Sequence, residues 1–86
     1  MDIKQFINFF RTEKSSFITR GSVLDVISVY NDDWVLMIKA LLITNNVKYI
    51  QTSYLLEKVS YIYSHPNNPE AFLDYKGLAI YKALKR

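Results

Sequence analysis

"WVLMIKALLIT", residues 34–44, is the stretch on which the fold turns. Only Lys39 and Thr44 are polar across it, so no face is left for water. A helix that is apolar on every side is surrounded by other helices. The apolar run from Trp34 to Ile43 is about ten residues long and contains Lys39, whereas a membrane span needs about 20. It therefore reads as the central buried helix of a soluble protein, with Trp34, Met37, Ile38, Leu41 and Leu42 in the core.

The flanks give this helix its ends. In "YNDDW" (30–34), Asn31 fits a cap, and Asp32 and Asp33 set carboxylates at the positive end of the helix dipole. Asn45-Asn46 fits a stop, because asparagine tolerates the left-handed conformation. Elsewhere apolar residues recur at three- and four-residue intervals, the helical period. Asp2 with Gln5 can form a capping box, after which Ile3, Phe6, Ile7 and Phe10 line one face as far as about Lys14. Residues 15–21 read as a connector, with Phe17 and Ile18 tucked inward. Ser22 with Asp25 repeats the capping pattern ahead of Val23, Val26, Ile27 and Tyr30. The β-branched content leaves helix and strand both open for residues 22–30. A helix is expected over 47–64, ended by "HPNNP" (65–69), and a last one from Pro69 to about Lys85. The expected fold is all-α: one domain over residues 1–86, a compact bundle of about five short helices around the central helix 34–44, without an internal repeat.

The chain has 86 residues, half of them hydrophobic, and no cysteine. Disulfides and thiolate metal sites are thereby excluded, and stability must come from packing. With no targeting segment in "MDIKQFINFFRTEK" (1–14), where Asp2, Lys4 and Arg11 interrupt any apolar core, a cytoplasmic protein is expected. The net charge of +3 is distributed unevenly. Asp25, Asp32 and Asp33 make one acidic segment, and Lys76, Lys82, Lys85 and Arg86 close the chain without an acid. Mixed sign argues against a dedicated polyanion binder, which shows a dense basic stripe. Richness in Ile, Lys, Asn and Tyr, whose codons are AT-rich, fits a low-GC genome or a phage.

Four tyrosines fall between Val47 and Pro66. At about 100 degrees per residue, Tyr49 and Tyr63 share a broad side with Leu55, Leu56, Val59 and Ile62 and are expected at the core. Across a polar strip of Ser53, Glu57, Ser60 and Ser64 lie Ile50, Tyr54 and Tyr61, with Val47 beside them. This second stripe is the expected partner-binding surface, since tyrosine joins contact area to a polar tip and has few rotors to freeze.

Little supports catalysis. His65, the single histidine, stands at a helix end where an imidazole bonds free carbonyls. "NDDW" (31–34) lacks the glycine and alternating spacing of a calcium loop. Gly21 and Gly77 belong to no phosphate-binding fingerprint, and Gly77 is expected to let a neighbouring helix come close. No enzyme, cofactor, metal or membrane contact is expected. The expected function is protein–protein interaction, with a larger target that is inhibited or redirected, or with a second copy. The alternative is a nucleic-acid-binding regulator in which Thr44-Asn45-Asn46 is the turn of a helix-turn-helix and Lys48, Gln51, Thr52 and Lys58 face bases and phosphates. The absence of arginine from that helix counts against it.

Overall fold

A helix, a strand and a second helix follow one another twice in this chain. The computed structural model describes residues 1–12 and 15–86. It gives α1 (Ile3–Arg11), β1 (Phe17–Thr19) and α2 (Arg20–Ile27), then α3 (Asp33–Thr44), β2 (Tyr49–Gln51) and α4 (Thr52–Ser64). A short 3-10 turn (Pro69–Phe72) and α5 (Tyr75–Leu84) complete it. The all-α bundle is as expected, with one two-stranded sheet added to it.

The two triplets stand in gapless register. One constant shift carries Phe17 onto Tyr49 and Arg20 onto Thr52, which begin matching elements. It also carries Phe6 and Phe10 onto Ile38 and Leu42, and Val23 and Ile27 onto Leu55 and Val59, all of them buried. Thr12 and Thr44, matched by the same shift, each donate a hydroxyl at 2.9 Å to the carbonyl three residues back, of Phe9 and Leu41 respectively. The strands pair antiparallel with Ile18 opposite Ile50. Beyond them the Arg20 N–H donates to the Lys48 carbonyl and the Thr52 N–H to that of Ser16, both at 3.0 Å. Each triplet's first helix rests on the other's second: α1 on α4, and α3 on α2. The strand pairing is symmetric about Ile18–Ile50, whereas the helix packing is not, since α3 also rests on α4 of its own triplet. The expectation of no internal repeat is thus corrected. Few identities survive, among them Ile18/Ile50, Leu24/Leu56 and Ser28/Ser60; what repeats is the pattern of burial.

The two copies differ in what covers them. Helix α5 packs on α3 more extensively than any other two elements pack together. Leu36, Met37, Ala40 and Leu41 of α3 are buried, while the matching positions of α1, Lys4, Gln5, Asn8 and Phe9, are exposed. The added helix is therefore what makes α3 apolar all round. Burying one leucine of this kind contributes about 1.5–3 kcal/mol. Met37, Ile38, Leu41 and Leu42 are buried as expected. Trp34 is only half-buried, its ring edge-on to Phe6 with centroids 5.3 Å apart. Lys39 keeps its apolar stem inside and donates from Nζ to the Tyr30 carbonyl at 3.0 Å.

Several boundaries shift from the sequence reading. Residues 49–51 are strand rather than helix, because β1 pairs with them; the β-branched and aromatic residues there suit a pleated surface. Residues 22–27 are helical, and the cap of α2 is Thr19, whose Oγ1 accepts from the Ser22 N–H at 3.2 Å, in place of Ser22. The capping box of Asp2 and Gln5 forms as expected, and α1 runs to Arg11; Glu13 and Lys14 lie outside the described residues. Asp32 occupies the cap position of α3 without a side-chain bond, in place of Asn31. The last helix is interrupted, because Asp74 restarts it by accepting from the Gly77 N–H at 2.7 Å. Gly77 is buried, yet the atoms its missing Cβ would meet are Asp74 Oδ1 and Leu73 Cδ2, both at 3.2 Å. It makes room for its own preceding turn, not for a neighbouring helix.

Candidate functional site

The two-stranded ribbon sets its side chains alternately inward and outward. Ile50 is buried and Ile18 half-buried on the inner side. Phe17 and Tyr49 stand on the outer side, each 55% exposed, and together they line one wholly apolar depression. Phe17 also belongs to a cleft that reaches Phe9 and Val26. Tyr49 belongs to another, of about 230 Å³, lined by Asn45, Val47, Ile50, Gln51 and Tyr54. The three depressions share these two rings and so form one continuous surface across the ribbon, apolar at its centre and mixed at its ends, where Ser15, Ser22, Asn45 and Gln51 join the lining. Beside it, Arg20 and Lys48 line a further cleft with Thr19, Gly21 and Asn46. Among the described residues no carboxylate lines any of the four.

Cations border the aromatic rings. Lys48 Nζ lies 5.6 Å from the Tyr49 centroid and Lys58 Nζ 4.9 Å from that of Tyr54. Such contacts leave the ammonium hydrated while its charge rests on the ring face. Arg20 is tied down, its Nη1 donating at 3.0 Å to the Leu42 carbonyl at the negative end of α3.

The expected stripe of Ile50, Tyr54 and Tyr61 is divided. Ile50 belongs to a strand and is buried, so it floors the cleft instead of contacting a partner. Tyr54 is half-buried on the wall of that cleft. Tyr61 lies apart, stacked by His65 at 3.9 Å and meeting Phe72 edge-on at 6.1 Å. Tyr49 and Tyr63, expected at the core, are 55% and 52% exposed. Phe17, expected to tuck inward from a connector over 15–21, instead lies in a strand and faces outward, because the pleat turns it away from its inward neighbour Ile18; Phe9 has no place in the sequence reading of the site. The alternation of Tyr49, Ile50 and Gln51 is a strand signal, but three residues also satisfy a helical period.

The helix-turn-helix arrangement does not form, because β2 separates α3 from α4. Lys48 and Gln51 are exposed at the ribbon, whereas Thr52 is buried and its Oγ1 donates to the Ser15 carbonyl at 3.1 Å. Lys58 sits over Tyr54 and 3.7 Å from Glu57. The four residues thus share no helix face. His65 Nδ1 lies 3.0 Å from the Tyr61 carbonyl oxygen, and a proton on Nδ1 makes it the donor there. Asp33 accepts from the Tyr81 hydroxyl at 2.7 Å and lies 3.4 Å from Lys85 Nζ, a role in joining α3 to α5 that the sequence reading did not foresee. Among the described residues no three of His, Asp or Glu converge as metal ligands, and no helix is long and apolar enough to cross a membrane. Compared with known proteins, the chain matches no family model, no curated sequence and no solved structure.

Proposed function

We propose that the chain is a non-enzymatic binding module whose outer ribbon face docks onto a larger protein. In a cytoplasm it would act as an accessory protein that inhibits or redirects that target. The observation carrying this reading is the placement of Phe17 and Tyr49 side by side and half-exposed over a shared apolar depression. An exposed aromatic patch of this kind marks an interaction surface, and aromatic anchors dominate binding energy at such surfaces. The border supports a further reading of the partner's chemistry. Arg20 and Lys48 line the adjoining cleft and, among the described residues, no carboxylate does, so the complementary surface is apolar with an acidic rim. A second copy would instead oppose cation to cation.

The test is a Phe17→Ser/Tyr49→Ser double variant beside the unaltered chain, both as baits in an extract of the native host. The double variant should keep its melting temperature within a few degrees and lose the captured protein. Binding to the isolated target should weaken by roughly thirtyfold or more, the equivalent of about 2 kcal/mol. Capture unaffected by the double variant would overturn the reading. So would a captured species that proves to be nucleic acid, recognised by affinity that falls steeply with salt, or a second copy seen in sedimentation.

A further inference from the structure

A second cleft, of about 290 Å³, opens between α1 and α4, away from the ribbon. Lys4, Asn8 and Arg11 line it from α1, and Ser60 and Tyr63 from α4, over a floor of Ile7. Its lining thus offers an ammonium, a guanidinium, an amide and two hydroxyls, and among the described residues no carboxylate. Lys4 Nζ lies 5.5 Å from the Tyr63 centroid. Among the described residues, the side chains of Asn8, Arg11, Ser60 and Tyr63 give no hydrogen bond or ion pair to the rest of the chain. Two cations beside an amide and two hydroxyls that can donate suit an anion.

We infer that this cleft holds the phosphate chain of a nucleotide. Lys4 and Arg11 are two helical turns apart, roughly 10 Å along the axis, with Asn8 between them. That span suits two linked phosphates better than one. Arg11 supplies the planar fork that grips phosphate bidentately, and Lys4 a point charge. The volume lies at the lower limit for a small-molecule pocket, about 300 Å³, so it takes the phosphates and leaves the base outside. The half-exposed Tyr63 ring at its edge is the surface on which a base can stack. The nucleotide is either free or one unit of a single strand, since both present phosphate next to a base.

The experiment follows backbone amide shifts of the full chain during titration with inorganic pyrophosphate, ADP and a twelve-residue oligothymidine. Saturable shifts are expected at Asn8, Arg11, Ser60 and Tyr63 with pyrophosphate and, more tightly, with ADP. Lys4→Ala and Arg11→Ala should each weaken both by about tenfold. Tyr63→Phe should weaken ADP and pyrophosphate alike through the lost hydroxyl, whereas Tyr63→Ala should weaken ADP further and pyrophosphate no further, a split that a merely structural tyrosine would not give. All three positions are exposed, so the variants should melt with the parent chain. A stronger response to the oligonucleotide than to ADP assigns the site to a strand, and a weaker one to a free nucleotide. The strand's log affinity should fall with log salt at a slope of about −1.4, or about −0.7 for each of two cations. Absence of saturation by about 10 mM pyrophosphate, beyond the usual range of specific affinity, would overturn the inference. So would shifts confined to Thr19–Gly21 and Lys48, or affinity unchanged in the Lys4→Ala/Arg11→Ala double variant.

Discussion

Truncating two adjacent residues, Tyr49 and Ile50, separates the ribbon from a helix at the same place. Ile50 is 5% exposed and Tyr49 55% exposed. Ile50→Ala removes buried methyl groups opposite Ile18, at the one cross-strand pair that faces the core. Deletions of this size cost about 2–5 kcal/mol, the spread reflecting how far the site can collapse. A pair flanked by two short strands can relax, which places the expected value near the middle, about 3 kcal/mol. Natural domains have about 0.05–0.15 kcal/mol of stability per residue, so this loss is a large share of what an 86-residue chain has. At about 4–8 °C per kcal/mol for a domain of this size, melting should fall by about 12–24 °C. Tyr49→Ala loses surface that is already half in water and should cost about 1 kcal/mol or less. Urea unfolding of both variants with a common m-value provides the comparison. A helical 47–64 segment would reverse the order, with Tyr49 at the core and Ile50 on the rim. Ile50→Ala costing less than Tyr49→Ala would therefore refute the strand register and the ribbon face together.

Other consequences follow from single contacts. Leu41→Ala, at a position that is 5% exposed, should cost about 2–5 kcal/mol in denaturant; a loss under about 1 kcal/mol would remove α3 from the core. Thr52→Val keeps the shape of a buried side chain but leaves the Ser15 carbonyl without its 3.1 Å donor, so unfolding should show a loss of about 0.5–1.5 kcal/mol. Burial, then the hydrogen bond to Asp33, raises the Tyr81 phenol above its ordinary pKa, and Lys85 beside it is raised through its bond to Tyr81 and the charge of Asp33. Both groups hold their protons more tightly folded than unfolded, so their stabilisation is complete below about pH 10 and lost as pH rises through the folded values. Melting temperature should drop above about pH 10, and Tyr81→Phe should make that drop shallower; an identical profile in the variant would remove Tyr81 from it.

What could be read from the sequence was what is local. The α3 helix declares itself because an apolar run broken only by Lys39, and too short to span a membrane, has one solution in a small chain, and the Asp2–Gln5 box because its partners are three residues apart. The ribbon does not declare itself. Its strands are three residues each and pair across most of α2 and α3, so only the partner strand turns residues 49–51 away from the helical period that they also satisfy. The helical wheel drawn from Val47 therefore placed Tyr49 and Ile50 the wrong way round. Tyr63 was misplaced for another reason: it sits at the edge of the α1–α4 contact, where Lys4 and water share its ring. The Asp33–Tyr81 bond joins elements too far apart in sequence for capping rules to reveal, which is why Asp33 read as a dipole residue alone.

The repeat connects these points to function. Two helix–strand–helix units meet across the Ile18–Ile50 pair, and a full repeat would give both copies the same outer faces. The C-terminal addition removes that equivalence. With α5 laid on α3, the outer positions Leu36 and Ala40 are buried, and polar residues there would lose water without gaining partners. The matching positions on α1, Lys4 and Asn8, meet no such cover and remain in water. There charge costs nothing to the fold, and donors can converge with Ser60 and Tyr63 on one cleft. The ribbon lies between the copies, and α5 is not among the elements lining its outer depressions. Its aromatic pair therefore stays open for the same reason that α1 stays polar: the one added helix covers a different side.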